Sequence, residues 1–88
     1  MIDLKYKNVV ITGASGGIGE SLVRKFAEYG SNIFLLSRDT NKMQTIISKI
    51  SKSDNQIITY YSLDITNEED VKNVFNRIIK KYNIDILI

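Results

Sequence analysis

The chain has 88 residues and a formal net charge of +2, from 12 lysine and arginine and 10 aspartate and glutamate residues. A chain of this length forms at most one domain, and so small a charge predicts no nucleic-acid partner. Because cysteine and histidine are absent, disulfides, the usual zinc sites and a Ser-His-Asp triad are excluded, and we expect no metal. No apolar run has the length of a membrane span and the N-terminus lacks a signal peptide's apolar core, so we expect a cytoplasmic protein without membrane contact.

Strand-like and helix-like segments alternate along the chain, with no linker, repeat or proline between them. In chain order the pattern predicts a strand at 8–12, a helix at 17–29, a strand at 32–37, a helix from Asp39 or Thr40, a strand at 56–63, a helix opened by a capping box at 66–69 and a strand at 84–88. This alternation requires parallel pairing through right-handed crossovers. We therefore predict a single α/β domain over residues 1–88, with a Rossmann-type sheet of order 3-2-1-4.

Each predicted helix has one apolar face that we expect to pack against the sheet. The residues on these faces are Ile18, Leu22, Val23 and Phe26 in the first helix, Met43, Ile46, Ile47 and Ile50 in the second, and Val71, Val74, Phe75 and Ile78 in the third.

A glycine-rich turn joins the first strand to the first helix, where residues 12–19 read Thr-Gly-Ala-Ser-Gly-Gly-Ile-Gly. Phosphate binding requires backbone N–H groups, the positive end of a helix dipole and an absence of Cβ atoms. In a Rossmann turn, Gly13 allows the tight turn, Gly17 allows close approach of the pyrophosphate, and Gly19 allows the helix to lie against the sheet. The turn therefore predicts a bound dinucleotide, at the switch point between strands 1 and 4.

The second strand ends in Ser37-Arg38, where an NAD-preferring site normally has an acidic residue that accepts from the ribose 2′-hydroxyl. A guanidinium can instead bind a 2′-phosphate with two hydrogen bonds. The pair predicts that NADP(H) is favoured, with NAD(H) possible. The alternative is that Arg38 lies on the surface and pairs with Asp39.

The spacing Thr-Gly-x-x-x-Gly-x-Gly resembles the cofactor fingerprint of the short-chain dehydrogenase/reductase family. The resemblance continues through 36–39 (Leu-Ser-Arg-Asp), 64–66 (Asp-Ile-Thr) and 84–88 (Ile-Asp-Ile-Leu-Ile), and so spans the chain. It implies the NADP(H)-binding part of a carbonyl/alcohol oxidoreductase. One departure weakens the NADP prediction, because Gly16 stands where the family often has a second basic residue.

The same resemblance implies roles for individual residues around the cofactor. It places Asp64 beside the adenine, in a loop with Ile65, and makes the backbone N–H of Ile18 a donor to the pyrophosphate. For Asp64 the alternative is a charge near the start of the third helix. Ser15 can donate its hydroxyl to a phosphate oxygen, or it can be a turn residue bonded to its own backbone.

The family's catalytic serine and Tyr-x-x-x-Lys pair are not found, since none of the five tyrosines is followed four residues later by lysine. We therefore expect a truncated Rossmann portion with no catalytic residue, whose apolar fourth strand self-associates or pairs with a completing polypeptide. One alternative is a nucleotide-binding module without chemistry of its own. Another is the nucleotide-binding part of an extended-type sugar-nucleotide epimerase or dehydratase, because Gly16 and Gly17 together also fit Thr-Gly-x-x-Gly-x-x-Gly.

Overall fold

The computed structural model describes residues 3–88 as one parallel sheet with helices on both faces. The elements are β1 (Asn8–Thr12), α1 (Gly17–Glu28), β2 (Asn32–Ser37), α2 (Thr40–Ser48), β3 (Ile58–Ser62), α3 (Glu68–Ile79) and β4 (Ile86–Leu87). The strand order is β3-β2-β1-β4, and every pair is parallel. The predicted α/β class and sheet order are confirmed.

Two hydrophobic clusters cover the two faces of the sheet. Residues of β1 and β2 alternate between them, because successive strand side chains point in opposite directions. On the face of α1 and α2, the buried residues include Val9, Ile11, Ile33, Leu35, Val23, Met43 and Ile46. On the face of α3, they include Val10, Phe34, Leu36, Leu63, Val74 and Ile78. Burial on both faces explains why the two central strands read as continuous apolar runs.

The prediction that Ile18 packs in the core is wrong, since its side chain is 81% exposed. The buried face of α1 consists of Gly19, Val23 and Ala27, spaced four residues apart. Ile18 lies about 140° around the helix from Val23, the middle residue of this row, and therefore faces away from the sheet. Leu22 and Phe26 lie between these extremes and are partly buried against the same cluster.

The predicted capping box at residues 66–69 is also wrong. Asn67 is the N-cap of α3, and its side-chain oxygen accepts from the backbone N–H of Asp70 at 3.0 Å. Thr66 instead donates its hydroxyl to Oδ1 of Asp64 at 2.6 Å. Because the Thr66 hydroxyl is used in that turn, the next residue with a suitable side chain caps the helix.

The third and fourth strands are shorter than the predicted 56–63 and 84–88. Backbone hydrogen bonds to β1 nevertheless continue on both sides of β4. Asp85 N donates to Asn8 O and Ile88 N donates to Val10 O, each at 2.9 Å. Thr12 N also donates to Ile88 O, at 2.8 Å. The segment around β4 is therefore attached to β1 over most of the predicted length.

Gln56 is a buried polar residue that the sequence did not single out, and it is only 3% exposed. Its Nε2 donates to the carbonyls of Ala27 at 3.1 Å and Ser31 at 2.7 Å. Its Oε1 accepts from Ser53 N at 3.2 Å. One side chain thus connects the end of α1, the start of β2 and the loop before β3.

We expect Gln56→Leu to lower the free energy of unfolding by about 1–3 kcal/mol, because the Ser31 carbonyl loses its donor and one buried unsatisfied group has about this cost. The Ala27 carbonyl keeps a hydrogen bond from Gly30 N at 3.0 Å. Chemical denaturation of the variant and the parent chain measures the difference. Gln44→Leu is the matched control, since Gln44 is exposed on α2 and surface substitutions usually change stability by less than about 0.5 kcal/mol. Similar losses in both variants would show that the buried bonds of Gln56 contribute little.

Candidate functional site

The glycine-rich turn brings the chain from the end of β1 into α1. Gly13 has a φ of +62°, a left-handed conformation that glycine adopts without steric cost. Its carbonyl accepts from Gly16 N at 3.1 Å. The first backbone N–H groups of a helix have no acceptor within the helix. Gly16 is the N-cap of α1 and has no side chain that could accept from them. This geometry suits an anion, because these N–H groups and the helix dipole point the same way.

Gly19 and Gly17 differ in the space around them. A Cβ on Gly19 would overlap the Gly13 carbonyl oxygen and lie 2.8 Å from the Cα of Ala14, so only glycine allows α1 to approach the turn this closely. A Cβ on Gly17 would have no atom within 4 Å. The start of α1 is therefore tightly packed at Gly19 and open at Gly17, as the predicted roles of these glycines require.

A cavity of about 150 Å³ lies at the carboxyl ends of the strands. Its lining consists of Thr12, Gly13, Leu36, Ser37, Arg38, Leu63 and Ile65. The fold thus brings together the glycine turn, the end of β2 and the loop after β3, three segments that are distant in sequence. Thr12, Leu36 and Leu63 also line the cavity but were not predicted as site residues. A threonine or leucine at the end of a strand gives no signal beyond that of a strand residue.

Ser15 and Ser37 are in direct contact beside this cavity. Their Oγ atoms are 2.6 Å apart, and Ser37 Oγ also accepts from Asp39 N at 3.2 Å. Ser15 therefore bonds to the end of β2 rather than to its own backbone. The contact connects the glycine turn to the segment that precedes α2.

Arg38 is exposed at the edge of the cavity, and no ion pair involves it within residues 3–88. The alternative partner, Asp39, caps α2 by accepting from Lys42 N at 3.0 Å. The guanidinium is consequently available to an anionic ligand. This arrangement favours the binding interpretation of Arg38 over the surface pair.

Asp64 lies next to Ile65, at the start of the loop after β3. Hydrogen bonds from the hydroxyl and the backbone N–H of Thr66, both to Oδ1, hold the pKa of Asp64 below its ordinary value, and the positive charge of Arg38 acts in the same direction. The carboxylate is therefore ionised at neutral pH. Within the described residues, its Oδ2 accepts no hydrogen bond and is free for a ligand donor.

Asp70, in the first turn of α3, is a residue that the sequence analysis missed and that contacts this loop. Its Oδ2 accepts from Asp64 N at 2.8 Å, and its own N–H donates to the Asn67 side chain at 3.0 Å. The first turn of α3 thereby holds the loop that carries Asp64 and Ile65. Nothing in the spacing predicts this contact, because acidic residues are common in the first turn of any helix.

The side chain of Ile18, a predicted site residue, does not line the cavity. Together with Gly17, Ser21, Leu22 and Lys25 it borders an open hollow along α1. The role predicted for Ile18 is donation of its backbone N–H to the pyrophosphate. This N–H belongs to the first turn of α1, where backbone N–H groups point out of the helix end.

A further cleft of about 250 Å³ lies between the second half of α1 and the segment after α2. Its lining consists of Arg24, Ala27, Glu28, Lys49, Ile50 and Ser51. The carboxyl ends of two helices meet there, and the partial negative charge of their carbonyls disfavours an anionic ligand. Within residues 3–88, no cluster of His, Cys, Asp and Glu is suited to a metal ion, and no helix is long and apolar enough to cross a membrane.

A family model described as short chain dehydrogenase matches residues 7–88. The chain belongs to the short-chain dehydrogenase family. The resemblance predicted from the glycine turn is thereby confirmed.

Curated relatives match over the whole chain. An uncharacterised oxidoreductase of Staphylococcus saprophyticus is 30% identical over 89 residues, covering 100% of this chain and 38% of the relative. A 3-oxoacyl-acyl-carrier-protein reductase of Rickettsia conorii is 36% identical over 88 residues, covering 100% of this chain and 34% of the relative. The chain thus spans little more than a third of the length of these proteins.

Solved structures match in fold as well as in sequence. A short chain dehydrogenase from Bacillus anthracis has a TM-score of 0.84 at 30% identity, covering 96% of this chain and 35% of that one. An alcohol dehydrogenase from Thermococcus sibiricus, complexed with 5-hydroxy-NADP, has a TM-score of 0.82 at 28% identity, covering 92% and 35%. An NAD⁺-bound xylitol dehydrogenase has a TM-score of 0.86 at 25% identity, covering 98% and 33%.

Proposed function

We propose that this chain is the NADP(H)-binding part of a carbonyl/alcohol oxidoreductase, and that it also accepts NAD(H). The observation that carries the proposal is the meeting of three segments at one cavity at the carboxyl ends of the strands: the glycine turn, the end of β2 with Arg38, which forms no ion pair within residues 3–88, and the loop after β3 that carries the ionised Asp64. Open parallel sheets bind ligands outside the carboxyl ends of their strands. This cavity lies over β1, β2 and the end of β3, beside the predicted switch point between β1 and β4. When bound, the nicotinamide of such a cofactor donates or accepts hydride.

The described residues fit the chemical groups of a dinucleotide. The glycine turn has a left-handed Gly13, a Gly19 that no larger residue can replace, and an open Gly17, which together leave room for a pyrophosphate. The residues that we propose to contact the cofactor are Gly13, Ser15, Gly16, Gly17, Ile18, Gly19, Ser37, Arg38, Asp64 and Ile65.

Within this set, the turn and the first amides of α1 bind the pyrophosphate, and Ser37 with Arg38 binds the 2′ substituent of the adenosine ribose. Asp64, with its free Oδ2, accepts from the adenine amino group, and Ile65 packs on the ring. The preference for NADP(H) rests on Arg38. Hydrogen bonds to a charged group contribute about 1.5–3 kcal/mol each.

Acid–base catalysis is not assigned to any residue of this chain. None of its tyrosines has a lysine four residues further on, which is the pairing that the family uses. The proposed contribution of residues 1–88 is to bind and orient the cofactor.

The experiment that tests the proposal compares Gly17→Val with the parent chain in a fluorescence titration with NADPH. A Cβ at Gly17 would have no packing neighbour within 4 Å, so we expect the variant to fold. Its valine side chain would instead occupy the space proposed for the pyrophosphate. We expect the Kd for NADPH to rise at least about 10-fold, the equivalent of losing one charge-assisted hydrogen bond. Lys25→Val, further along the exposed side of α1, is the control and should bind as the parent does. A parent chain that does not bind NADPH, or a Gly17→Val chain that binds normally, would contradict the proposal.

We also propose that a polypeptide of residues 1–88 associates with a second copy, or with a completing polypeptide, along β4. Within the described residues β4 pairs only with β1, so its outer edge has free backbone groups. Leu87, the second residue of this strand, is 59% exposed. An apolar edge strand of this kind invites further pairing. Light scattering at high micromolar concentration should give a mass above that of the monomer.

In the same measurement, Leu87→Lys is expected to shift the polypeptide toward the monomer, because a charged side chain disfavours edge pairing. Ile79→Lys is the matched control, since Ile79 is comparably exposed on α3 and should leave the mass unchanged. A monomeric parent polypeptide with a cooperative thermal transition would show that the edge does not need a partner.

A further inference from the structure

The hydroxyls of Ser15 and Ser37 form a closely coupled pair at the proposed cofactor site. Their oxygens are 2.6 Å apart and partly buried, and the geometry allows either one to be the donor. Ser37 Oγ accepts a further hydrogen bond from Asp39 N at 3.2 Å. Ser15 Oγ makes no other hydrogen bond within the described residues.

The hydrogen-bonding capacity of this pair is limited. Each hydroxyl has one proton and two lone pairs. One of the two protons lies between the oxygens, and one lone pair of Ser37 accepts from Asp39. A single proton is therefore left for a ligand, and the direction of the Ser15–Ser37 bond decides which serine holds it.

The two directions present different groups to the cavity. When Ser37 donates to Ser15, the Ser15 proton is free, and Ser37 presents a lone pair that can only accept. When Ser15 donates to Ser37, the Ser37 proton is free, and Ser15 presents only lone pairs. Reversal requires rotation of two hydroxyls and no movement of the backbone.

We propose that this reversible hydroxyl pair allows one site to accept either a ribose 2′-hydroxyl or a 2′-phosphate; the inference rests on the proposed function. With NAD(H), Ser37 accepts from the 2′-hydroxyl and Ser15 donates to a phosphate oxygen of the pyrophosphate. With NADP(H), Ser37 donates to the 2′-phosphate, which is only an acceptor, and Ser15 donates to Ser37. A carboxylate in place of Ser37 would only accept and would thus repel the phosphate.

Ser15 is therefore a specificity-determining residue that supports NAD(H) more than NADP(H). Ser15 donates to the cofactor only when NAD(H) is bound and Ser37 donates to Ser15. When NADP(H) is bound, the Ser15 proton is used in the hydrogen bond to Ser37. Arg38 has the opposite selectivity, because it attracts only the charged 2′ substituent.

The test is calorimetric titration of the full chain with NADH and with NADPH. Ser15→Ala should weaken NADH binding roughly 10-fold, the effect of losing one hydrogen bond to a charged group, and NADPH binding less than about 2-fold. Ser15→Thr keeps the hydroxyl and should restore NADH binding, which a purely structural role of the small serine would not predict. Arg38→Ala is the control and should weaken NADPH binding alone.

Each outcome has a distinct meaning. If the parent chain binds neither cofactor, the proposed function fails and the inference fails with it. If the parent binds both, but Ser15→Ala weakens both equally, weakens NADPH more, or weakens neither, the hydroxyl pair has no switching role and the proposed function stands. Should Ser15→Ala not fold, Ser15→Cys answers the same question, because a thiol is only a weak donor and must give the same selective loss.

Discussion

Arg38→Asp is expected to reduce or reverse the preference of the chain for NADPH over NADH. The substitution removes charge-assisted hydrogen bonds to the 2′-phosphate, worth about 1.5–3 kcal/mol or roughly one to two decades in Kd, and adds a charge that repels it. The new carboxylate can also accept from the 2′-hydroxyl of NADH. Fluorescence titration with each cofactor measures the change in the ratio of the two Kd values.

The structure supplies a control for the altered net charge. Lys49→Asp makes the same change of charge at the far end of α2, outside the cavity, and should leave the ratio of the two Kd values unchanged. If Arg38→Asp and the parent chain bind both cofactors with equal affinity, Arg38 is a surface residue without a role in selectivity.

A polypeptide of residues 1–88 is expected to show no dehydrogenase turnover, even when it binds NADPH. Positioned acid–base groups typically contribute 10²–10⁴-fold to such reactions, and no tyrosine of this sequence is followed four residues later by lysine. Steady-state NADPH oxidation with a panel of aldehydes and ketones measures the rate.

Two checks make this expectation specific. The intact mass of the preparation must correspond to residues 1–88, and NADPH titration of the same preparation must show binding. Continuous oxidation of NADPH above the uncatalysed rate would then mean that a residue of this chain performs the proton transfer.

The fold was largely predictable because its signals are local and mutually consistent. The apolar runs at 8–12 and 32–37 and the helical spacing of Met43 and Ile46 each specify one element. Strand–helix alternation then leaves few topologies, since parallel strands require right-handed crossovers. The position of the glycine turn was also predictable, because a positive φ and close helix packing both require glycine, at a fixed spacing.

The errors lie where several local solutions have similar energies. Thr66 and Asn67 are both acceptable N-caps, and the choice depended on the hydrogen bond between Thr66 and Asp64. Ile18 fits a helical apolar pattern, but the row formed by Gly19, Val23 and Ala27 faces the sheet instead. The apolar pattern alone does not decide which of two adjacent helix faces is buried when the residue lies at the start of the helix.

By itself, the sequence determined the element types, the sheet order and the position of the glycine turn between β1 and α1. Only the tertiary structure decided which distant side chains meet: Ser15 with Ser37, Asp64 with Asp70, and Gln56 with the carbonyls of Ala27 and Ser31. The physical reason is that element formation follows local periodicity and backbone preference, whereas hydrogen bonds between segments depend on crossover geometry that brings particular atoms within 3 Å or so of each other.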